Sequence, residues 1–182
     1  MKAAIVLWIF VSLSISLQLA GAGEGPGTMP VAESSPPASF QVRNKKFGEL
    51  LRPEDASNAN GTRIVLYPPQ PWKCMTWKFY PAGDSVFQLQ NHFTSETFSA
   101  TAAAQAPQPV LQSPFSKQAT ECPAWRVTKL ADGTYKIADT KTSLALTAAK
   151  EGDGLRVVTR VWQEEDAQKW ELLPIDPKQL TM

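Results

Sequence analysis

Apolar and polar residues alternate along short segments of this chain, which is the two-residue period of a β-strand. Three of these segments open alike, and their first residues, Phe40, Phe87 and Tyr135, lie 47 and 48 positions apart. The segments are Phe40-Gln41-Val42-Arg43-Asn44, Phe87-Gln88-Leu89-Gln90-Asn91 and Tyr135-Lys136-Ile137-Ala138-Asp139. A fixed spacing of this kind is typical of an internally repeated structure.

A second marker keeps the same period, because each unit closes on a tryptophan with an apolar residue two positions further on. Trp77, Trp125 and Trp170 follow the opening aromatic residues by 37, 38 and 35 positions. Since they occupy equivalent places in three units, we expect these tryptophans in the core between repeats rather than in ligand contacts. The units run over about 40–82, 87–130 and 135–174.

Within the units, runs of β-branched residues follow turn dipeptides, as Asn60-Gly61 precedes 63–67 and Asp153-Gly154 precedes 155–159. Each unit therefore has about four short strands. Twelve short strands favour an all-β fold that is closed on itself, because closure removes the exposed strand edges that invite aggregation. Trp162 lies where a buried strand residue is expected.

The first 22 residues are typical of an export signal. Lys2 supplies the positive charge, residues 3–19 are apolar and uncharged, and Ala20-Gly21-Ala22 offers the small residues of a cleavage site. A retained membrane anchor is the alternative, since the apolar run approaches spanning length. The small residues favour cleavage, so we expect a secreted, extracellular protein, or a periplasmic one in a bacterium, with no membrane span in the mature chain.

Two segments outside the repeats have few of the large apolar residues that form a hydrophobic core. Residues 23–38 are rich in Gly, Pro and Ser and predict a disordered tail, and 177–182 form a C-terminal tail. The folded domain is expected over 39–176.

The net charge of the chain limits the kinds of partner that it can bind. The whole chain has 18 basic and 17 acidic residues, and Lys2 is the one charge within residues 1–22. The mature chain is therefore neutral, which argues against general affinity for nucleic acid. Two cysteines and one histidine, His92, do not build a convincing metal site, and no cofactor motif is present. With a single imidazole and no nucleophile motif beside it, we expect no enzyme activity.

The cysteines, Cys74 and Cys122, each come three residues before a repeat-closing tryptophan, and the third equivalent is Ala167. Export permits a disulfide. The two positions are pseudo-symmetric, so they meet only if that position lies near the symmetry axis. A bridge between the first two repeats is slightly favoured over two free thiols.

These features resemble the ricin-B-type lectins, whose repeats end in Gln-x-Trp. Gln168-Lys169-Trp170 matches that signature fully, whereas Met75-Thr76-Trp77 and Pro123-Ala124-Trp125 keep only the tryptophan. The string from Leu50-Leu51-Arg52 through Asn60-Gly61 to Tyr67 is similar to the family's strand, turn and strand. The resemblance implies a β-trefoil of three pseudo-symmetric four-stranded repeats.

The resemblance also implies sugar pockets, each with a carboxylate, an aromatic face and an amide. This chain departs from that pattern. The positions aligned with the pocket carboxylate hold Arg52, Ser99 and Ala145, and those aligned with the aromatic platform hold Tyr67, Ser113 and Arg160. The first repeat is the best remaining candidate. Its predicted ligand-binding residues are Arg52, Asn60, Tyr67 and Trp72.

Two functions follow. The preferred one is a non-catalytic carbohydrate-binding protein that recognises a glycan or glycoprotein, with Arg52 suited to an acidic sugar because arginine donates hydrogen bonds and cannot accept them. The alternative is a β-trefoil that has lost its sugar sites and binds a protein partner, as an inhibitor or a toxin-like subunit. Fold alone does not choose between them.

Overall fold

The computed structural model describes residues 38–101, 107–116 and 122–181. The signal peptide predicted over 1–22 and the tail predicted over 23–38 lie outside these residues, apart from Ala38. Ala38 begins the first strand. No helix in the described ranges is long and apolar enough to cross a membrane.

The described residues form twelve β-strands in three units of four, as the repeats predict. The first unit contains β1 (Ala38–Asn44), β2 (Leu50–Pro53), β3 (Ile64–Tyr67) and β4 (Thr76–Gly83). The second contains β5 (Val86–Asn91), β6 (Thr97–Ala100), β7 (Gln108–Ser113) and β8 (Trp125–Lys129), and the third β9 (Tyr135–Asp139), β10 (Ala145–Glu151), β11 (Gly154–Arg160) and β12 (Lys169–Pro174). Short 3-10 turns lie at Glu54–Ala56, Lys73–Met75, Asp166–Gln168 and Pro177–Gln179.

The outer strands of the three units form a closed ring. β1 pairs with β4, β4 with β5, β5 with β8, β8 with β9, β9 with β12, and β12 returns to β1, all antiparallel. Closure gives every strand of the ring two neighbours and leaves no unpaired ring edge. The ring is the barrel of the molecule.

The inner strands of each unit form hairpins that cap the barrel. β2 pairs with β3, β6 with β7, and β10 with β11. The hairpins also contact one another, since β11 pairs with both β3 and β7 and a bridge joins Arg63 to Leu111. A six-stranded barrel capped by three hairpins is the predicted all-β trefoil architecture.

The repeat-closing tryptophans are core residues, as predicted. Trp77, Trp125 and Trp170 are fully buried. Their indole N–H groups donate to carbonyl oxygens at equivalent places, Leu51 at 3.0 Å, Phe98 at 3.3 Å and Leu146 at 3.0 Å. A buried indole that finds a partner avoids the cost of an orphaned donor. One tryptophan thus ties the last strand of each unit to its own hairpin.

Trp162, in contrast, is not the buried strand residue that the sequence predicts. β11 ends at Arg160, and Trp162 lies in the following loop, half-buried. The ammonium of Lys136 sits 5.1 Å from the centre of its ring. The error arises because the strand ends two residues before the apolar pattern does.

Neighbouring repeats are joined by buried asparagines at the ends of β1 and β5. The side-chain amide of Asn44 donates to the carbonyl of Ala167 at 3.0 Å, and that of Asn91 donates to Cys74 at 2.9 Å. Their amide oxygens accept backbone N–H bonds from the loops that follow. The third equivalent, Asp139, has no donor and accepts from Thr142 instead. The asparagines therefore hold each loop against the preceding repeat.

The cysteines do not form the favoured disulfide. Cys74 and Cys122 are both buried free thiols. Cys74 packs with Leu50 and Met75 in a small cluster separate from the central core, so its position is away from the symmetry axis. Because equivalent positions away from that axis are held apart, the two sulfurs are not brought together. Burial raises the pKa of both thiols.

Candidate functional site

The structure brings together three of the four predicted ligand-binding residues. Strand alternation places Leu50, Arg52 and Tyr67 on one face of the β2–β3 hairpin, with Leu50 opposite Tyr67. The guanidinium carbon of Arg52 lies 4.2 Å from the centre of the Tyr67 ring. The Trp72 ring follows at 5.9 Å from Tyr67, inclined by 30°. We call these three side chains, Arg52, Tyr67 and Trp72, the first-repeat cluster.

Arg52 is the unusual member of the cluster, because it is a buried cation. The residue is 9% exposed, and its Nε is buried without a hydrogen-bond partner in the described part of the chain. The nearest carboxylate oxygen, from solvent-exposed Asp55, is 3.9 Å from Nη2. Burying an incompletely paired charge is unfavourable, so this guanidinium is suited to an anionic partner. The tyrosine face stabilises the cation in part.

The cluster has an exposed aromatic side. Tyr67 is 39% exposed and Trp72 is half-buried. The guanidinium lies over the tyrosine ring, and the exposed part of Tyr67 together with that of Trp72 stays open to a ligand. A partly exposed aromatic pair beside a donor-rich cation is the combination that sugar recognition uses.

The loop that carries Trp72 is fixed by the C-terminal residues. Thr181 N donates to the carbonyl of Pro71 at 2.8 Å, and Lys73 N donates to the carbonyl of Thr181 at 3.1 Å. On the other side, the Gln41 side chain donates to the carbonyl of Gln70 at 2.8 Å. The segment predicted as a C-terminal tail thus braces the first-repeat cluster. Sequence reasoning missed this role, since nothing local in 177–182 indicates a partner a hundred residues away.

Asn60, the fourth predicted residue, makes no contact with the cluster within the described part of the chain. It lies exposed in the β2–β3 turn, beside Gly61, whose φ of +80° suits a glycine. The turn's contacts are with β7, where Gly61 N donates to the carbonyl of Gln112 at 2.9 Å. Proximity in the sequence suggested that Asn60 joins Arg52, but the turn that carries Asn60 packs on the second repeat.

The structural register corrects one aligned position. The carbonyls that accept from the core tryptophans belong to Leu51, Phe98 and Leu146, so the next residues, Arg52, Ser99 and Thr147, are equivalent. The third equivalent of Arg52 is thus Thr147 rather than Ala145. Strand pairing makes Tyr67, Ser113 and Arg160 equivalent to one another, since Leu50 is opposite Tyr67, Thr97 opposite Ser113 and Ala145 opposite Arg160. The second and third repeats therefore hold neither a carboxylate nor an aromatic residue there.

The complete Gln-x-Trp signature has a structural role. Gln168 is buried, its Nε2 donates to the carbonyl of Val161 at 2.8 Å, and its Oε1 accepts from Gln163 N at 2.7 Å. Its amide also bonds the Thr147 hydroxyl at 3.3 Å. Gln168 therefore holds the loop before β12 in place.

The single histidine, His92, lies in an environment that favours its uncharged form. His92 Nε2 is 2.9 Å from the Ser39 hydroxyl. Burial, with the nearby cations Lys78 and Lys73, lowers the pKa of His92 to about 4. This ring nitrogen bonds a hydroxyl, whereas the imidazole of a Ser-His-Asp triad bonds a carboxylate. In the described ranges, no three His, Cys, Asp or Glu side chains are grouped closely enough to hold a metal ion.

No family model matches the sequence, and no curated protein sequence matches it. Solved structures do match. The designed threefold symmetric protein ThreeFoil is 21% identical with a TM-score of 0.69, over 75% of this chain and 99% of its own. The Rhizoctonia solani agglutinin is 19% identical with a TM-score of 0.66, over 80% of this chain and 99% of its own. This chain is a β-trefoil.

A third similar structure is the Macrolepiota procera ricin B-like lectin in complex with lactose. It is 17% identical with a TM-score of 0.64, and the match covers 76% of this chain and 96% of that lectin. At these identities the likeness describes the fold and not the ligand. The β-trefoil that the family resemblance implied is thereby confirmed, and its ligand must be argued from the first-repeat cluster.

Proposed function

We propose that this protein is a secreted, non-catalytic carbohydrate-binding protein that recognises an acidic glycan through Arg52, Tyr67 and Trp72. The observation that carries the proposal is the Arg52 guanidinium, buried against Tyr67 with an unpartnered Nε. A carboxylate on a sugar pairs with this cation as no neutral hydroxyl does, since charge-assisted hydrogen bonds are about twice as strong as neutral ones.

The aromatic pair supplies the other half of recognition. The exposed side of Tyr67 and the half-buried Trp72 offer an apolar surface on which the C–H face of a pyranose packs. Solved structures with this fold include an agglutinin and a lectin in complex with lactose, which supports a sugar as ligand. With one complete cluster in the described chain, we expect monovalent binding, without the avidity of several pockets.

The test begins with a glycan array that carries neutral and acidic sugars, followed by titration calorimetry with lactose and 6′-sialyllactose. These two sugars differ by one acidic residue, so the difference in affinity measures the anion's contribution. We expect 6′-sialyllactose or another acidic glycan to bind and its neutral counterpart to bind at least tenfold more weakly, about 1.4 kcal/mol. Equal affinity for the members of such a pair contradicts the role of Arg52.

Variants separate the two halves of the site. Arg52→Lys keeps the charge and removes the planar fork, and we expect it to weaken acidic ligands about tenfold. Trp72→Ala is expected to weaken every ligand, neutral or acidic. Arg160→Ala is the matched control, because Arg160 occupies the platform position of the third repeat and is exposed. A silent array with a correctly folded protein would refute glycan binding and favour the protein partner.

A further inference from the structure

A cavity of about 530 Å³ opens in the hairpin cap, and its lining includes no residue of the first-repeat cluster. All three repeats contribute to it, through β3, β7 and the β10–β11 hairpin. Its volume is in the range of small-molecule pockets, which run from about 300 to 1,000 Å³. The cavity is therefore a separate site from the one proposed for glycans.

The floor of the cavity is apolar and pseudo-symmetric. Ile64, Val110 and Val157 line it and are buried. In each hairpin, the residue whose carbonyl accepts from the core tryptophan is paired with a residue on the other strand, namely Leu66, Gln112 or Thr159. Each floor residue lies two positions before that paired residue. The three floor residues are hence equivalent by register. A floor made of one residue from each hairpin is centred on the pseudo-threefold axis.

The rim of the cavity is not symmetric in charge, because two of its three equivalent positions hold arginine and the third holds proline. Each floor residue is preceded in the sequence by a residue that lines the rim, and these three are Arg63, Pro109 and Arg156. Arg156 is paired with Glu151, with Nε 3.2 Å from the carboxylate oxygen. Arg63 is exposed and has no ion pair among the described residues. The mouth of the cavity thus has a net positive charge over an apolar floor.

We propose that this cavity binds a small organic anion with a compact apolar body, such as an aromatic or short aliphatic carboxylate. The apolar body displaces water from the partly exposed lining residues Leu111 and Val158, which is favourable in proportion to the area covered. The carboxylate pairs with Arg63, whose planar guanidinium matches it with two parallel hydrogen bonds. An amine of the same shape meets the same positive mouth and is excluded. This inference does not depend on the proposed glycan function.

The experiment titrates the full mature chain with 2-naphthoate, and with uncharged 2-naphthol as the matched ligand, following backbone amide shifts by NMR. We expect 2-naphthoate to shift amides of β3, β7 and β11 and to bind more tightly than 2-naphthol. Arg63→Gln is expected to weaken 2-naphthoate about tenfold, as loss of a charge-assisted hydrogen bond implies. Arg160→Gln is the control, since Arg160 is exposed like Arg63 but does not line the cavity.

A gain-of-function variant keeps the proposal open to refutation if Arg63→Gln is poorly folded. Pro109 is the exposed third rim position, so Pro109→Arg places an arginine from every repeat around the mouth. We expect this variant to bind 2-naphthoate severalfold more tightly and 2-naphthol no more tightly. Shifts confined to residues outside the cavity, or equal binding by Arg63→Gln and the unaltered protein, would overturn the proposal. The outcome of the glycan titrations bears on neither result.

Discussion

Replacing the core tryptophan Trp77 by phenylalanine tests whether the indole N–H bonds hold the hairpins to the barrel. Trp77 is fully buried, its Nε1 is 3.0 Å from the Leu51 carbonyl, and its ring meets Phe98 edge-on at 4.9 Å. Trp77→Phe leaves that carbonyl without its donor, at about 1–3 kcal/mol, and opens a small void at about 1 kcal/mol more. We expect a loss of about 2–4 kcal/mol, a large share of the 5–15 kcal/mol typical of a domain.

Equilibrium unfolding in urea measures this loss, as a lower midpoint with an unchanged slope. The pseudo-symmetry provides a graded series, because Trp170 donates at 3.0 Å and Trp125 at a longer 3.3 Å. The Trp125→Phe variant should therefore lose the least of the three. Trp162→Phe is the control, since this half-buried loop residue should lose about 0.5 kcal/mol or less. A loss below about 0.5 kcal/mol for Trp77→Phe would refute the reasoning.

Three further predictions concern polar and thiol groups. The pKa of His92 falls from 6.5 to about 4 on folding, so the unfolded chain binds the proton more readily and the protein becomes less stable as pH falls from 6.5 to about 4. His92→Gln should flatten this pH dependence of the melting temperature. An unaltered pH dependence would contradict the prediction. Cys74 and Cys122 are free thiols, so intact mass after alkylation of the denatured, unreduced protein should show two adducts, whereas none would indicate a bridge. Asn91→Ala removes a buried donor and an acceptor, and it should cost about 2–3 kcal/mol in urea unfolding, against near-neutral change for exposed Asn58→Ala.

The repeat pattern could be predicted from sequence because it is a property of spacing. The tryptophans and opening strands recur at one period, and every unit needs the same buried residues to close the same barrel. Trp77 could thus be assigned to the core without coordinates. Trp162 could not, because its place depends on where β11 ends, and strand ends are set by pairing partners rather than by local composition.

The site was harder to predict, because it depends on contacts between distant segments. Arg52, Tyr67 and Trp72 lie close together in sequence, so their meeting follows from one hairpin and its loop. Asn60 lies equally close in sequence, yet its turn packs on the second repeat. The brace from Thr181 and the burial of Arg52 both depend on tertiary contacts that no local pattern encodes. The sequence shows that Arg52 stands at the position aligned with the pocket carboxylate, but it does not show what surrounds the Arg52 side chain.

The pairing of β12 with β1 has a consequence for how the protein is made. Phe40 lies opposite Pro174, 134 residues further along the chain. At a synthesis rate of roughly 5–20 residues per second, β1 is translated about 7–27 s before its partner exists. The barrel therefore cannot close on the ribosome while the chain is incomplete, and the late, long-range pairing makes folding slow. The nascent chain therefore stays open until its last strand is made.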